Sequence, residues 1–132
     1  MLNVFPSLLT YGFFAPMLLR VAVALSIAYI VWVQYKRREE ISQMRAPLIG
    51  TVGGLLWLGL LLELAVAAAL FVGYYTQVAA LFGLALALKH YIFAKKYPTV
   101  IPFSRATYVF IFIICFTLLL TGAGALAFDL PL

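Results

Sequence analysis

Four long apolar runs, none with the alternation of a strand, constrain this chain more than any other feature. They cover residues 12–34, 47–73, 76–94 and 106–127. A helix needs roughly 20 apolar residues to cross a hydrocarbon core about 30 Å thick. Inside lipid a backbone must satisfy its own hydrogen bonds, which leaves helices or a closed barrel, and barrel strands alternate where these runs do not. Only 10% of the 132 residues are charged, against about 25% in a soluble domain, and the mean hydropathy is +1.14. The expectation is one all-α domain over residues 1–132, an integral membrane up-down four-helix bundle. The third run is the weakest, fully apolar only over Val78–Leu88. The first lacks a basic stretch ahead of it and is too long for a signal-peptide core, so it reads as a retained span.

The nine lysines and arginines are placed unevenly. Lys36, Arg37, Arg38 and Arg45 fall in the first connection, and Lys89, Lys95, Lys96 and Arg105 flank the third. The second connection, Tyr74–Gln77, carries no charge. With four spans the first and third connections share a side, which the positive-inside rule makes cytoplasmic. Both termini then face outward from the cell membrane. The +5 net charge is explained by this rim and by attraction to anionic headgroups rather than by nucleic acid. Tyr11, Tyr74 and Tyr75 mark the outer interface; Trp32, Tyr35, Tyr91 and Tyr97 mark the inner one. Pro98 and Pro102 predict a stiff, extended inner loop over Tyr97–Phe103. Pro47 suits the first turn of the second helix.

Two ionisable residues lie deep in the runs, Arg20 and Glu63. Arg20 is 16 residues outward of Lys36, and Glu63 is 16 outward of Pro47. At 1.5 Å per residue both lie about 24 Å from the inner edge, level on adjacent helices. Pro16, Arg20, Ala24 and Ala28 share one helix stripe, and Gly59, Glu63 and Ala67 share another, small enough for close approach. The expectation is an Arg20–Glu63 ion pair facing the bundle interior. Two roles stand equally for it: fixing helix register, or contacting a ligand.

His90 shares a stripe with Thr76, Ala79, Gly83 and Ala87 and points inward near the cytoplasmic end. A lone inward histidine is most often a hydrogen-bonded packing residue. Lys89 is expected to snorkel to the inner rim. Thr117 and Thr121 reach toward the Arg20 level or bond back to their own helix, which is the commoner use. A bis-histidine haem is excluded by the single histidine, and the one cysteine, Cys115, forms no internal disulfide. There is no CxxC pair and no metal-ligand spacing.

The stretch Leu18-Leu19-Arg20-Val21-Ala22, the glutamate-centred Leu58–Glu63 leading to Gly73, Thr76 and Ala79-Ala80, and the closing Thr121–Asp129 with its Gly122 and Gly124 resemble the DoxX family of small four-span membrane proteins. The glycine and lysine that family members often carry late in the first span are absent from Ser26–Trp32. The resemblance implies an up-down four-helix bundle and a link to respiratory redox systems. Founding members are associated with a quinone-reducing, thiosulfate-oxidising complex, and relatives with oxidative-stress complexes or with maturation of other proteins. It points to Arg20, Glu63 and Asp129 as the positions of interest. Asp129 is otherwise expected to be solvated among the outer headgroups.

The leading expectation is a non-catalytic accessory subunit of a quinone-linked redox system, with an outward-opening pocket floored by Arg20 and Glu63. It carries no intrinsic cofactor but accepts a quinone or lipid. The alternatives are a chaperone packing against client membrane proteins and, more weakly, a small transporter. A redox-complex subunit, a client protein and a second copy of the chain all remain open as partners.

Overall fold

In a computed structural model the described residues are 5–43, 45–46, 50–51 and 53–128. Their elements run α1 (Pro6–Leu9), α2 (Phe14–Lys36), α3 (Arg38–Ser42), β1 (Arg45–Ala46), β2 (Gly50–Thr51), α4 (Gly53–Val72), α5 (Thr76–Lys96) and α6 (Arg105–Thr121). The two strands form a minimal antiparallel ladder, Arg45 opposite Thr51 and Ala46 opposite Gly50; all other regular structure among the described residues is helical. Helices α2, α4 and α5 are long and apolar enough to cross a membrane, while α6, at 17 residues, is apolar but shorter.

Local chemistry sets the helix ends. Pro16 lies in the first turn of α2, where backbone N–H groups have no partner within the helix, and Lys36 in its last turn suits the helix dipole. Helix α4 stops at Gly73, whose φ of +76° is the left-handed conformation that glycine adopts most readily. Ala69 O accepts from both Gly73 N and Tyr74 N there, at 2.8 and 3.0 Å. Pro98 disfavours helical geometry at the residue before it, and α5 ends at Lys96. Gly122, with φ +78°, ends α6.

Helix α2 packs on α4 and α6, and α5 packs on the same two. Cross-contacts fix the directions of α5 and α6. Gln77 donates to Leu119 O at 3.2 Å, Gly83 abuts Cys115, and His90 stacks on Tyr108, so the two helices are antiparallel. The core between the four is built from small and branched side chains, among them Ala24, Ile27, Ala67, Leu70, Ala80, Ala87, Cys115 and Leu118. The His90 stripe is buried at all five positions, and Arg20, Ala24, Glu63 and Ala67 are buried. Pro16, Ala28 and Gly59, at the other positions of their stripes, are half-buried, and Gly59 meets no neighbouring helix closely.

Arg37 donates to Thr99 O, which puts the first and third connections, and hence the basic residues around them, at one end of the molecule. At the other end Ala125 N donates to Phe13 O at 3.2 Å, joining the segment after α6 to the start of α2.

Three sequence expectations change. The second long helix begins at Gly53 rather than 47, because the paired strands occupy part of that apolar run; Pro47 itself lies outside the described residues. The fourth helix ends at Thr121 rather than 127, since Gly122 leaves helical geometry. The inner loop is a turn at 98–100 rather than extended, closed by Val100 N donating to Tyr97 O at 3.3 Å. It buries Val100 beside Ile41, Leu56 and Leu60. Pro98 stands at the second position of this turn, where its fixed φ is favourable, and burial of Val100 and Ile101 adds to it.

Candidate functional site

The deepest polar side chains form two separate sites. In the first, Arg20 Nη1 donates to Ala123 O at 3.0 Å and Nη2 to Leu126 O at 3.2 Å. The side chain is almost completely buried. A Cβ at Gly73 would overlap the guanidinium and stand 2.7 Å from Ala127 Cβ. Glycine is therefore required there twice, for its positive φ and for the space Arg20 occupies. Gly124 is similarly constrained, since an added Cβ would stand 2.8 Å from Pro16 Cβ and 3.0 Å from Met17 N. Arg20 thus ties the segment after α6 to the α2 end of the molecule.

The second site lies nearer the basic end. Glu63 on α4 is fully buried, and its Oε1 accepts from Lys89 Nζ on α5. The same oxygen is 3.3 Å from His90 Nε2. Gln34 Nε2, from α2, is 2.9 Å from that ring nitrogen, and His90 Nδ1 is 2.7 Å from Leu86 O. Glu63 Oε2 has no hydrogen-bond partner among the described residues. The buried hydroxyl of Tyr108 makes no well-formed hydrogen bond among them either, although the Phe103 backbone lies close enough to act on it electrostatically. The Tyr108 ring lies parallel to His90, centroids 5.5 Å apart.

The His90 ring has two hydrogen-bonding arrangements here. Leu86 O can only accept, so Nδ1 carries a hydrogen. Nε2 then faces a donor, the Gln34 amide, and an acceptor, the Glu63 carboxylate. With Nε2 bare, the Gln34 bond is made and Glu63 carries its charge against Lys89 alone. With Nε2 protonated, imidazolium donates to Glu63 and the Gln34 amide must present its oxygen instead. The two states differ by one proton on Nε2, 3.3 Å from the carboxylate, and by the orientation of the Gln34 amide.

The expected Arg20–Glu63 pair is not formed, and the pocket expected between them is replaced by these two sites. The reckoning of depth assumed that α4 begins at Pro47. Beginning at Gly53, six residues later, the helix holds Glu63 about 9 Å closer to the basic end. Side chains on helices lean toward the helix N-terminus, which in α4 carries Glu63 further that way. In α5 the same lean carries Lys89 and His90 toward it.

The residues missed were Lys89, read as a rim residue, and Gln34. The tight connection Gly73–Tyr75 was the available signal. Two helices joined by three residues must be antiparallel, and residues equally distant from the turn face one another, so Glu63 falls within about one turn of Lys89 and His90. Gln34 had no such signal, because its neighbours come from helices far along the chain. Thr117 and Thr121 follow the commoner expectation: each donates to its own helix, to Ile113 O and Thr117 O, both at 2.9 Å. Asp129 lies outside the described residues.

No family model, curated protein or solved structure matches the chain.

Proposed function

We propose that the protein is a four-span, up-down membrane bundle of the DoxX kind. Its basic end faces the cytoplasm and both termini face outward. It serves as an accessory subunit of a quinone-linked redox system, with the Glu63–Lys89–His90–Gln34 cluster receiving the quinone headgroup. The observation that carries this reading is the buried Glu63 carboxylate, one oxygen held by Lys89 and the other without a partner among the described residues. Ionisable groups are costly inside a membrane and are functional candidates by default. A pure register lock would be expected to satisfy both oxygens, because an unmet buried acceptor costs about 1–3 kcal/mol.

A quinol hydroxyl supplies the missing donor to Glu63 Oε2, and a quinone carbonyl accepts from Lys89 or from protonated His90. His90 Nε2, bare or protonated, lets the site accept from a quinol hydroxyl or donate to a quinone carbonyl. Access is lateral, since the Lys89 side chain is 41% exposed on the helix surface.

The test uses the full chain in nanodiscs with a labelled short-chain quinone. Wild type is expected to bind, and Glu63→Gln to weaken binding at least about tenfold, or 1.4 kcal/mol, as is Lys89→Met. If wild type holds no quinone, or both variants bind as wild type does, the reading fails. Epitope tags at either terminus should be accessible only from outside intact cells, and cytoplasmic termini would overturn the orientation.

A further inference from the structure

Apart from the buried cluster, α5 and α6 leave a groove of about 190 Å³ between them on the surface of the molecule. Its walls are Ala87, Leu88, Tyr91, Tyr108, Val109 and Phe112. The surface they present to it is wholly apolar, the Tyr108 hydroxyl being buried behind its ring. At the groove's basic end the Arg105 guanidinium is held over the Tyr91 ring, 4.4 Å from its centroid. Lys95 and Lys96 end the neighbouring helix. The chain's four acidic residues are Glu39, Glu40, Glu63 and Asp129; none lies between Lys89 and Arg105. This corner carries three cationic side chains, Lys95, Lys96 and Arg105, beside an apolar slot.

The geometry points to a binding site for one anionic glycerophospholipid of the inner leaflet, its phosphate on Arg105 and an acyl chain in the α5–α6 groove. Depth supports the pairing. Tyr108 lies three residues beyond Arg105, about 4.5 Å along the helix. An interfacial layer is about 6 Å thick on each side of the hydrocarbon core. A phosphate at Arg105 therefore brings the lipid's ester region to the level of Tyr108, where the apolar groove is open to receive an acyl chain. Phe112, seven residues beyond Arg105 or about 10 Å, is at acyl depth. Anionic headgroups are attracted to such basic helix ends in general. The groove beside Arg105 turns that attraction into a site for a single molecule. The assignment does not depend on the quinone reading.

The test is native mass spectrometry of the full chain released from nanodiscs of phosphatidylglycerol or phosphatidylcholine with identical acyl chains. Wild type is expected to retain one phosphatidylglycerol at least about fivefold more than phosphatidylcholine. Arg105→Gln should abolish that preference, and Val109→Trp should fill the groove and remove the adduct. Val109 and Arg105 are exposed, so those two variants leave the core intact. Arg38→Gln, a basic residue on α3 at the same end, should change nothing. Equal retention of the two lipids, an adduct that survives Val109→Trp, or an Arg38→Gln effect matching that of Arg105→Gln would each overturn the site.

Discussion

The pairing of Glu63 with Lys89, and not with Arg20, gives a quantitative expectation. Lys89→Met leaves a fully buried carboxylate without its charged partner. Breaking a buried pair costs about 3–5 kcal/mol, but Lys89 is 41% exposed and partly solvated. The expected loss is therefore nearer about 2–3 kcal/mol. Glu63→Leu is milder, about 1–2 kcal/mol, because Lys89 can swing to the rim while His90 keeps Gln34 and Leu86. Combining Lys89→Met with Glu63→Leu removes the buried charge together with its partner and should cost no more than about 1 kcal/mol. The coupling energy is then about 2 kcal/mol or more, whereas Arg20→Leu with Glu63→Leu should be additive within about 0.5 kcal/mol. Reversible unfolding in bicelles, followed by steric trapping, reads all of these. A Glu63–Lys89 coupling below about 0.5 kcal/mol, or an Arg20–Glu63 coupling above about 1 kcal/mol, would refute the assignment.

Gly73→Ala should cost about 3 kcal/mol or more by the same assay, since it adds left-handed strain to displacement of a charged hydrogen-bonding group. A Gly73→Ala variant within about 1 kcal/mol of wild type would exclude the close approach of Arg20. Gly83→Ala places a Cβ 2.8 Å from Cys115 Sγ but 3.7 Å from Cys115 Cβ. It should destabilise by about 1–3 kcal/mol, and Cys115→Ala should relieve most of that, so the double variant melts above Gly83→Ala alone. Thr117→Val and Thr121→Val should each shift stability by no more than about 0.5 kcal/mol; a larger loss in thermal unfolding would mean that the hydroxyls serve another helix. Cys115, with no exposed surface, should resist maleimide in the folded protein and react on unfolding, and rapid labelling of native protein would contradict the α5–α6 packing.

Much of this architecture is visible in the residues. Apolar length alone separates the helices, and glycines at 73 and 122 end two of them because few other residues take those backbone angles. The small residues beside Arg20, Glu63 and His90 identify the inward stripes, since only a face of small side chains lets helices approach. The tight 73–75 turn even holds the register that brings Glu63 to Lys89 and His90. Partner choice is different, because it depends on where each helix begins along the bundle axis. A two-residue ladder in the first connection moves the start of α4 by six residues, and that shift decides whether Glu63 meets Arg20 or the α5 pair. Arg20 finds its acceptors in carbonyls more than 100 positions away, which exist as a site only once the segment after α6 folds back. The apolar pattern specifies which faces are buried; the axial offsets between helices, set by connections and by packing, decide which polar groups meet.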